Sequence, residues 1–210
     1  MATGDVHALI QQAKVLGRTL LTEVEAKALV QAAGISVVQT ELAQTAEEAV
    51  SIARNVGLPV ALKVSSPDVA HKSDVGGVQV NLTSEDAVRD GFDAITKSVQ
   101  KAQPNATLDG VSVQPMAQPG IEIIIGLTID PQFGPLIMFG LGGVHVEVLK
   151  DVAFRLVPLS QYDACTMIQE IRGLPLLTGH RGQAAVDLSA LEQTLLALSV
   201  LAEAQPDIQE

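Results

Sequence analysis

Two stretches of this chain carry both ends of a helix in their own residues. Thr22 and Glu25 are spaced as a capping box, Ala26, Leu29, Val30 and Ala33 form one apolar stripe, and Gly34 ends the pattern. Thr45 and Glu48 repeat that opening, Ala46, Ala49, Val50, Ala53 and Val56 repeat the stripe, and Gly57 closes it. Ile35–Thr40 between them reads as a strand. Pro59–Val64 reads as another, an apolar run with Lys63 as its one intruder, and Gly77–Leu82 as a third with alternating character. Helices alternating with strands indicate an α/β (α+β) fold rather than an all-α or all-β one.

The rest of the chain extends the pattern. Val6, Leu9, Ile10 and Ala13 mark an opening helix that stops near Gly17, and Val88, Phe92, Ile95 and Val99 a long helix that ends before Pro104. Asn105–Gly110 is a break in composition, and the lobe boundary is placed there. Strands are expected at Val111–Met116, Ile121–Ile129, Pro135–Leu141 and Val152–Val157. Ala164, Met167, Ile168 and Ile171 mark a further helix, Gly173–Gly182 a loop, and Leu191, Leu195, Leu198 and Ala202 the last helix. This divides the chain into a helical extension at 1–19, a first lobe at 20–108 and a second, mainly antiparallel lobe at 109–210. Ligands in two-lobed folds often sit where the lobes meet.

Composition bounds the partners. Hydrophobic residues make up 47% of the 210 positions but aromatics only 2%, with no Trp, so the core must be aliphatic and stacking platforms are scarce. A formal charge of -11 argues against nucleic acid as a partner, although a local cationic island can still capture a small anion. The one cysteine, Cys165, suits a reducing compartment. No secretory signal is visible, and the apolar stretches around Ile121–Ile129 and Pro135–Val144 are too short and too interrupted to span a bilayer. A soluble cytoplasmic protein without a membrane partner is expected.

Lys63 is the first residue whose chemistry needs a reason, because an ammonium within an apolar strand is costly without an anion. A phosphate would supply one; a strand-edge lysine reaching for water is the ordinary alternative. The loop His71-Lys-Ser-Asp-Val-Gly-Gly-Val78 concentrates groups that handle phosphate. Lys72 offers charge, Ser73 a hydrogen bond, Gly76 and Gly77 close approach of the backbone, and His71 a proton or phosphoryl acceptor. An exposed turn would use similar residues. The spacing is not that of a Walker loop, and a strand follows rather than a helix. His7, His71, His145 and His180 show no helical metal-ligand spacing, which argues against zinc.

Other positions are weaker by themselves. Gln114, Pro115 and Met116 end a strand where the backbone could face an adenine edge. Glu122 is either an outward strand residue or an acceptor for a ribose hydroxyl. Gly140-Leu-Gly-Gly143 with Glu147, Lys150 and Asp151 makes a second glycine-marked loop, equally well explained by a hairpin. Gly179-His-Arg-Gly182 could carry a guanidinium to an anion, or be a surface loop.

Taken together, Pro59-Val-Ala-Leu-Lys63, the His71–Val78 loop, Asp130-Pro-Gln-Phe-Gly-Pro-Leu-Ile-Met-Phe-Gly-Leu-Gly-Gly143 and Glu147-Val-Leu-Lys-Asp151 resemble the ATP-grasp subunit of ADP-forming acetyl-CoA and acyl-CoA synthetases. The resemblance runs from about Leu20 to the end of the chain, with succinyl-CoA synthetase β subunits as more distant relatives. It implies a two-lobed ATP-grasp fold with ATP or ADP in the cleft, Lys63, Lys72, Ser73, Gly76 and Gly77 at the phosphates, Gln114 to Met116 at the adenine and Glu122 at the ribose. It makes His71 the catalytic relay between ADP and a phosphohistidine carried elsewhere, with Glu147 in support.

The resemblance also implies Mg²⁺, held by an Asp-Ile-Asn-Pro-like stretch and a later acid. The chain stops at Gln209–Glu210, where that stretch should begin, so the metal ligands are expected beyond Glu210. CoA-binding and ligase domains, or an α subunit carrying the phosphohistidine, are the implied partners, in a hetero-oligomer or a fused chain. A nucleotide-sensing or assembly module of a protein lysine acetyltransferase is the alternative function. A carboxylate–amine ligase is a third reading, disfavoured by the His71 loop.

Overall fold

The computed structural model describes residues 3–69, 71–143, 150–180, 182 and 184–210. In chain order the elements are α1 (Thr3–Val15), α2 (Glu23–Ala32), β1 (Glu41–Ala43), α3 (Ala46–Val56), β2 (Val60–Ser65), β3 (Val78–Leu82), α4 (Glu85–Ala102), β4 (Gly110–Pro115), β5 (Ile123–Asp130), β6 (Gly134–Leu141), β7 (Val152–Leu156), α5 (Gln161–Glu170), α6 (Leu174–Leu177) and α7 (Leu188–Ala204). They fall into two compact units. The first holds the residues up to Ala32 and Ser36–Gln118; the second holds Pro119–Glu210 with the short Ala33–Ile35 stretch.

The first unit is built on a four-stranded antiparallel sheet in the order β1-β4-β2-β3. Val60, Leu62 and Val64 of β2 and Val111 and Val113 of β4 share a core with Ala49, Val50 and Ala53 of α3 and Val88, Ile95 and Val99 of α4. Among the described residues no aromatic side chain is buried in that core; Phe92 packs against its margin. The helices start and stop on local chemistry. Thr22 and Glu25 exchange hydrogen bonds as a capping box, Thr45 caps α3 through the amide of Glu48, and Ser84 caps α4 through that of Ala87. After α1, the Arg18 amide reaches the Ala13 carbonyl and the Gly17 amide that of Lys14, with Gly17 at φ 68°, the left-handed ending that glycine favours.

The second unit has the antiparallel sheet β5-β6-β7. Alternation along β6 sends Ile137, Phe139 and Leu141 into a core with Met167 and Ile168 of α5, Leu177 of α6 and Leu195 of α7. The intervening positions form the other face, where Met138 is paired with Phe154 and Leu136 with Leu156. Ser160 and Asp163 cap α5 reciprocally, and Asp187 caps α7. Among the described residues no helix is long and apolar enough to cross a membrane.

Three expectations are corrected. Ile35–Thr40 is not a strand: the residues that pair with β4 are Glu41–Ala43, one step further along, opposite Val111–Val113. The break expected at Asn105–Gly110 is irregular only as far as Asp109; Gly110 already opens β4, which returns between β1 and β2, so the first unit extends to Gln118 rather than stopping at residue 108. Gly173–Gly182 is not all loop, because Leu174–Leu177 forms a helical turn with Pro175 at its start.

Leu62 is fully buried at the centre of the first sheet, whereas Val80 of β3 is 57% exposed. Leu62→Ala should cost about 2–5 kcal/mol in urea unfolding and Val80→Ala no more than about 0.5 kcal/mol; similar costs at the two positions would contradict this placement of the core.

Candidate functional site

Lys63 owes its position to the period of two along β2. Val60, Leu62 and Val64 face the helices, so Lys63 points to the opposite face, where its cross-strand partners are Ser112 of β4 and Val78 of β3. It is half-buried there rather than driven into the core. Gln114 stands on the same face, two positions along β4 from Ser112.

The loop from His71 to Gly77 leads from this strand pair into β3 and is tied down from within. The Gly77 amide donates to the Lys72 carbonyl at 2.7 Å, the Gly76 amide to that of Ser73 at 3.1 Å, and the Val64 amide to the Gly77 carbonyl at 2.7 Å. Ser98 of α4 donates its hydroxyl to the Val75 carbonyl at 2.9 Å. A Cβ on Gly77 would meet Val64 Cγ1 at 2.6 Å and the Lys72 carbonyl oxygen at 2.8 Å, so this glycine is required by packing. The glycine amides, expected to face phosphate oxygens, are thus donated inside the loop. What the loop offers outward is His71, Lys72, Ser73 and Asp74.

Lys63 and Lys72 meet at Glu23, a residue absent from the expected site. Lys63 Nζ lies 2.7 Å from Glu23 Oε1, Lys72 Nζ 2.9 Å from Oε2, and Lys27, one turn along α2, 3.1 Å from Oε1. Burial by itself would raise the Glu23 pKa, but hydrogen bonds from Lys63 and Lys72 and their charges outweigh it and hold the carboxyl at about 2. Glu23, Lys63, His71, Lys72, Ser73, Asp74 and Val78 line a cavity of ≈ 430 Å³. Lys27, Lys63 and Lys72 outnumber the Glu23 and Asp74 carboxylates and leave a small local excess of positive charge in an acidic protein, the electrostatic condition for holding an anion. The i,i+4 spacing of Glu23 and Lys27 was visible in the sequence. Nothing local signalled Lys63 and Lys72, 40 and 49 residues away.

The proposed adenine segment adjoins this site through Lys27, which donates to Gln114 Oε1 at 2.6 Å and to Thr40 at 2.7 Å. Pro115 is paired with Val60, and the Met116 amide already donates to the Pro59 carbonyl at 3.0 Å, so that N–H is engaged within the sheet.

Glu122 belongs to the second unit. Its carbonyl accepts from the Gly142 amide at 2.8 Å, and its carboxylate lies where a Cβ on Gly143 would stand, at a backbone φ of 60° that also favours glycine. Glu147 and Arg181 lie outside the described residues. Asp151 is buried and accepts from the amides of Arg172 at 2.8 Å and Gly173 at 2.7 Å. Burial opposes ionisation of Asp151, yet those amides and the Arg172 guanidinium keep its pKa below the usual carboxylate value. It joins Leu141, Arg172, Gly173, Pro175, Leu176 and His180 around a second cavity of ≈ 420 Å³. Among the described residues no group of three or more His, Cys, Asp or Glu side chains is placed to hold a metal ion.

A lysine-bearing antiparallel sheet followed by a second α+β unit is the arrangement of an ATP-grasp protein, and the ATP-grasp domain profile matches residues 12–210. The β subunit of acetate–CoA ligase [ADP-forming] II from Pyrococcus furiosus is 42% identical over 95% of this chain and 85% of its own length. The longer acetate–CoA ligase [ADP-forming] I of Archaeoglobus fulgidus is 44% identical over 87% of this chain, which covers 26% of that protein. An acetyl-coenzyme A synthetase 1 of Ca. Korarchaeum cryptofilum, solved with coenzyme A and Ca-AMPCP, superposes with a TM-score of 0.89 at 49% identity, over 92% of this chain and 85% of that one. Its complex with coenzyme A and Mg-AMPPCP, in which a phosphohistidine segment points towards the nucleotide binding site, gives a TM-score of 0.82 at 46% identity over 93% and 84%. The chain belongs to the ATP-grasp family. Its relatives there are the β subunits and corresponding portions of ADP-forming acid–CoA ligases, and the acetyltransferase-module reading finds no support among them.

Because the Glu23 carboxyl is held near 2 against an ordinary value of 4.5, its pairing stabilises the fold fully above about 4.5 and is lost as pH falls towards 2. Acid titration followed by circular dichroism should show stability declining across that window, and more shallowly in Glu23→Gln, which should already be less stable at pH 7. An unchanged acid profile in the variant would contradict the pairing.

Proposed function

We propose that this chain is the nucleotide-handling part of an ADP-forming acyl-CoA synthetase (acid + ATP + CoA = acyl-CoA + ADP + phosphate), with His71 carrying the phosphoryl group between nucleotide and a partner's phosphohistidine. The observation that carries this reading is one cavity lined by His71, Lys63 and Lys72, a nucleophile beside two cations. The ATP-grasp membership of the chain and the phosphohistidine segment in the Korarchaeum complex support it.

In the direction of ATP synthesis, an imidazole nitrogen of His71 attacks phosphorus, the N–P bond to the partner histidine breaks, and that imidazole leaves with the electron pair and is reprotonated. A terminal oxygen of ADP then attacks the same phosphorus and His71 departs. Lys63 and Lys72 face the negative charge that accumulates on the transferring oxygens, and Ser73 offers one more donor. Gln114, Pro115 and Met116 are proposed near the adenine, Glu122 at the ribose, and Gly76 and Gly77 as the residues that shape the loop under the phosphates.

Magnesium is proposed for the holoenzyme because the Korarchaeum complex carries Mg-AMPPCP. The described residues do not themselves form its site: the Glu23 carboxylate is held by lysines and that of Asp151 by backbone amides. The coenzyme A and acyl sites are assigned to a partner α subunit or to fused domains, and the reducing cytoplasm is the proposed compartment.

Incubation with Mg-[γ-³²P]ATP in the presence of the partner domains, followed by peptide mapping, should place acid-labile phosphate on His71. His71→Ala should reduce that label to background and change ADP affinity less than about three-fold, whereas Lys63→Met should weaken ADP about ten-fold or more. Wild-type chain that stays unlabelled with its partner present would sink the relay.

A further inference from the structure

Glu23 and Glu25 stand two residues apart on the first turn of α2, and their surroundings differ in kind. Glu25 accepts from the Thr22 amide at 2.8 Å, from the Thr22 hydroxyl at 3.0 Å, and from both terminal nitrogens of Arg18, a set dominated by short, fixed donors. The partners of Glu23 among the described residues are all ammoniums at the ends of flexible side chains: Lys27, Lys63 and Lys72. Glu23 also lines the cavity, while Glu25 does not. One oxygen meets Lys63 and the other Lys72, the bridging geometry that two non-bridging oxygens of a phosphate would adopt between the same ammoniums.

We propose that Glu23 is an exchangeable internal counter-anion, which neutralises Lys63 and Lys72 until a phosphoryl group displaces it and which then rests on Lys27. This inference rests on the reading of the Lys63–Lys72 cavity as a phosphate site. A phosphate dianion outcompetes a single carboxylate for two lysines, because each ammonium gains more charge to pair with. Lys27 makes the exchange inexpensive: it is already 3.1 Å from Glu23 Oε1 and sits one helical turn away, so the carboxylate keeps a cationic partner after leaving the other two. In the free protein the carboxylate prevents three ammoniums from repelling one another. In the loaded site it competes with the ligand, and so trades affinity for release.

The test is isothermal titration of the full chain with ADP and with inorganic phosphate, together with thermal melting, for wild type, Glu23→Gln, Glu25→Gln and Lys63→Met. Glu23→Gln should melt lower when free, yet bind ADP about three- to ten-fold more tightly and gain more in melting temperature from phosphate. Glu25→Gln should melt lower with no gain in affinity. Glu23→Gln that folds and binds ADP no better than wild type, or less well, would overturn the exchange and leave Glu23 as a residue that merely positions the lysines. If Glu23→Gln does not fold, Glu23→Asp should tighten ADP in the same direction by a smaller factor, and weaker binding there is equally fatal. Lys63→Met separates the two levels: unchanged ADP affinity in that variant removes the phosphate site itself, whereas a loss there with no gain in Glu23→Gln removes only the exchange.

Discussion

β2 runs between β4 and β3, and its residues alternate between two duties. Val60, Leu62 and Val64 are buried under α3 and α4, while Lys63 emerges on the other face. Pairing on both sides locks the register, with Leu62 opposite Val113 on β4 and Gln79 on β3. A slip of one residue would drive an ammonium into an aliphatic core and expose three valine and leucine side chains, so the same burial that stabilises the sheet aims the lysine. The loop that follows inherits this precision, because Val64 and Gly77 are joined by a backbone hydrogen bond and Gly77 packs directly on the Val64 side chain.

Charge is then distributed against the protein's overall sign. The formal net charge is -11, yet three lysines converge on Glu23, and two of them, Lys63 and Lys72, line the cavity with His71. The proposed phosphate-handling role needs this inversion, since an acidic surface repels nucleotides at long range and only a local cationic island compensates. Glu23 makes the island tolerable in the free protein. Its depressed pKa and the convergence of Lys63 and Lys72 are two views of one energy, the mutual stabilisation of charges removed from bulk water.

The second unit follows a different rule, in which backbone amides are the closest donors to the buried acid and the Arg172 guanidinium adds to them. Asp151 begins next to β7 and accepts the amides that open the α6 turn, joining sheet to helix with a charge-assisted contact. Gly142 and Gly143 allow the end of β6 to lie against the backbone of Ile123 and the carboxylate of Glu122. Glycines that read in the sequence as phosphate or turn signals are here demands of close packing, as they are at Gly77.

Much of this was legible from local chemistry. Thr22 with Glu25, Thr45 with Glu48, and Gly17 and Gly57 announce helix ends because capping is settled within one turn of chain, and the aliphatic stripes announce the cores because burial follows periodicity. Lys63 and His71 stood out as chemically costly or reactive residues in the right surroundings. Ladder partners are long-range choices, and so Ile35–Thr40, as apolar as Glu41–Ala43 is mixed, is the wrong strand, and β4, which opens at Gly110, joins the first sheet rather than the second. The sequence by itself determined where helices begin, which residues must be buried and which loop carries reactive groups. Only the tertiary structure decided that Glu23 receives Lys63 and Lys72, because a contact spanning 40 and 49 residues exists only when sheet pairing and helix packing bring its ends together.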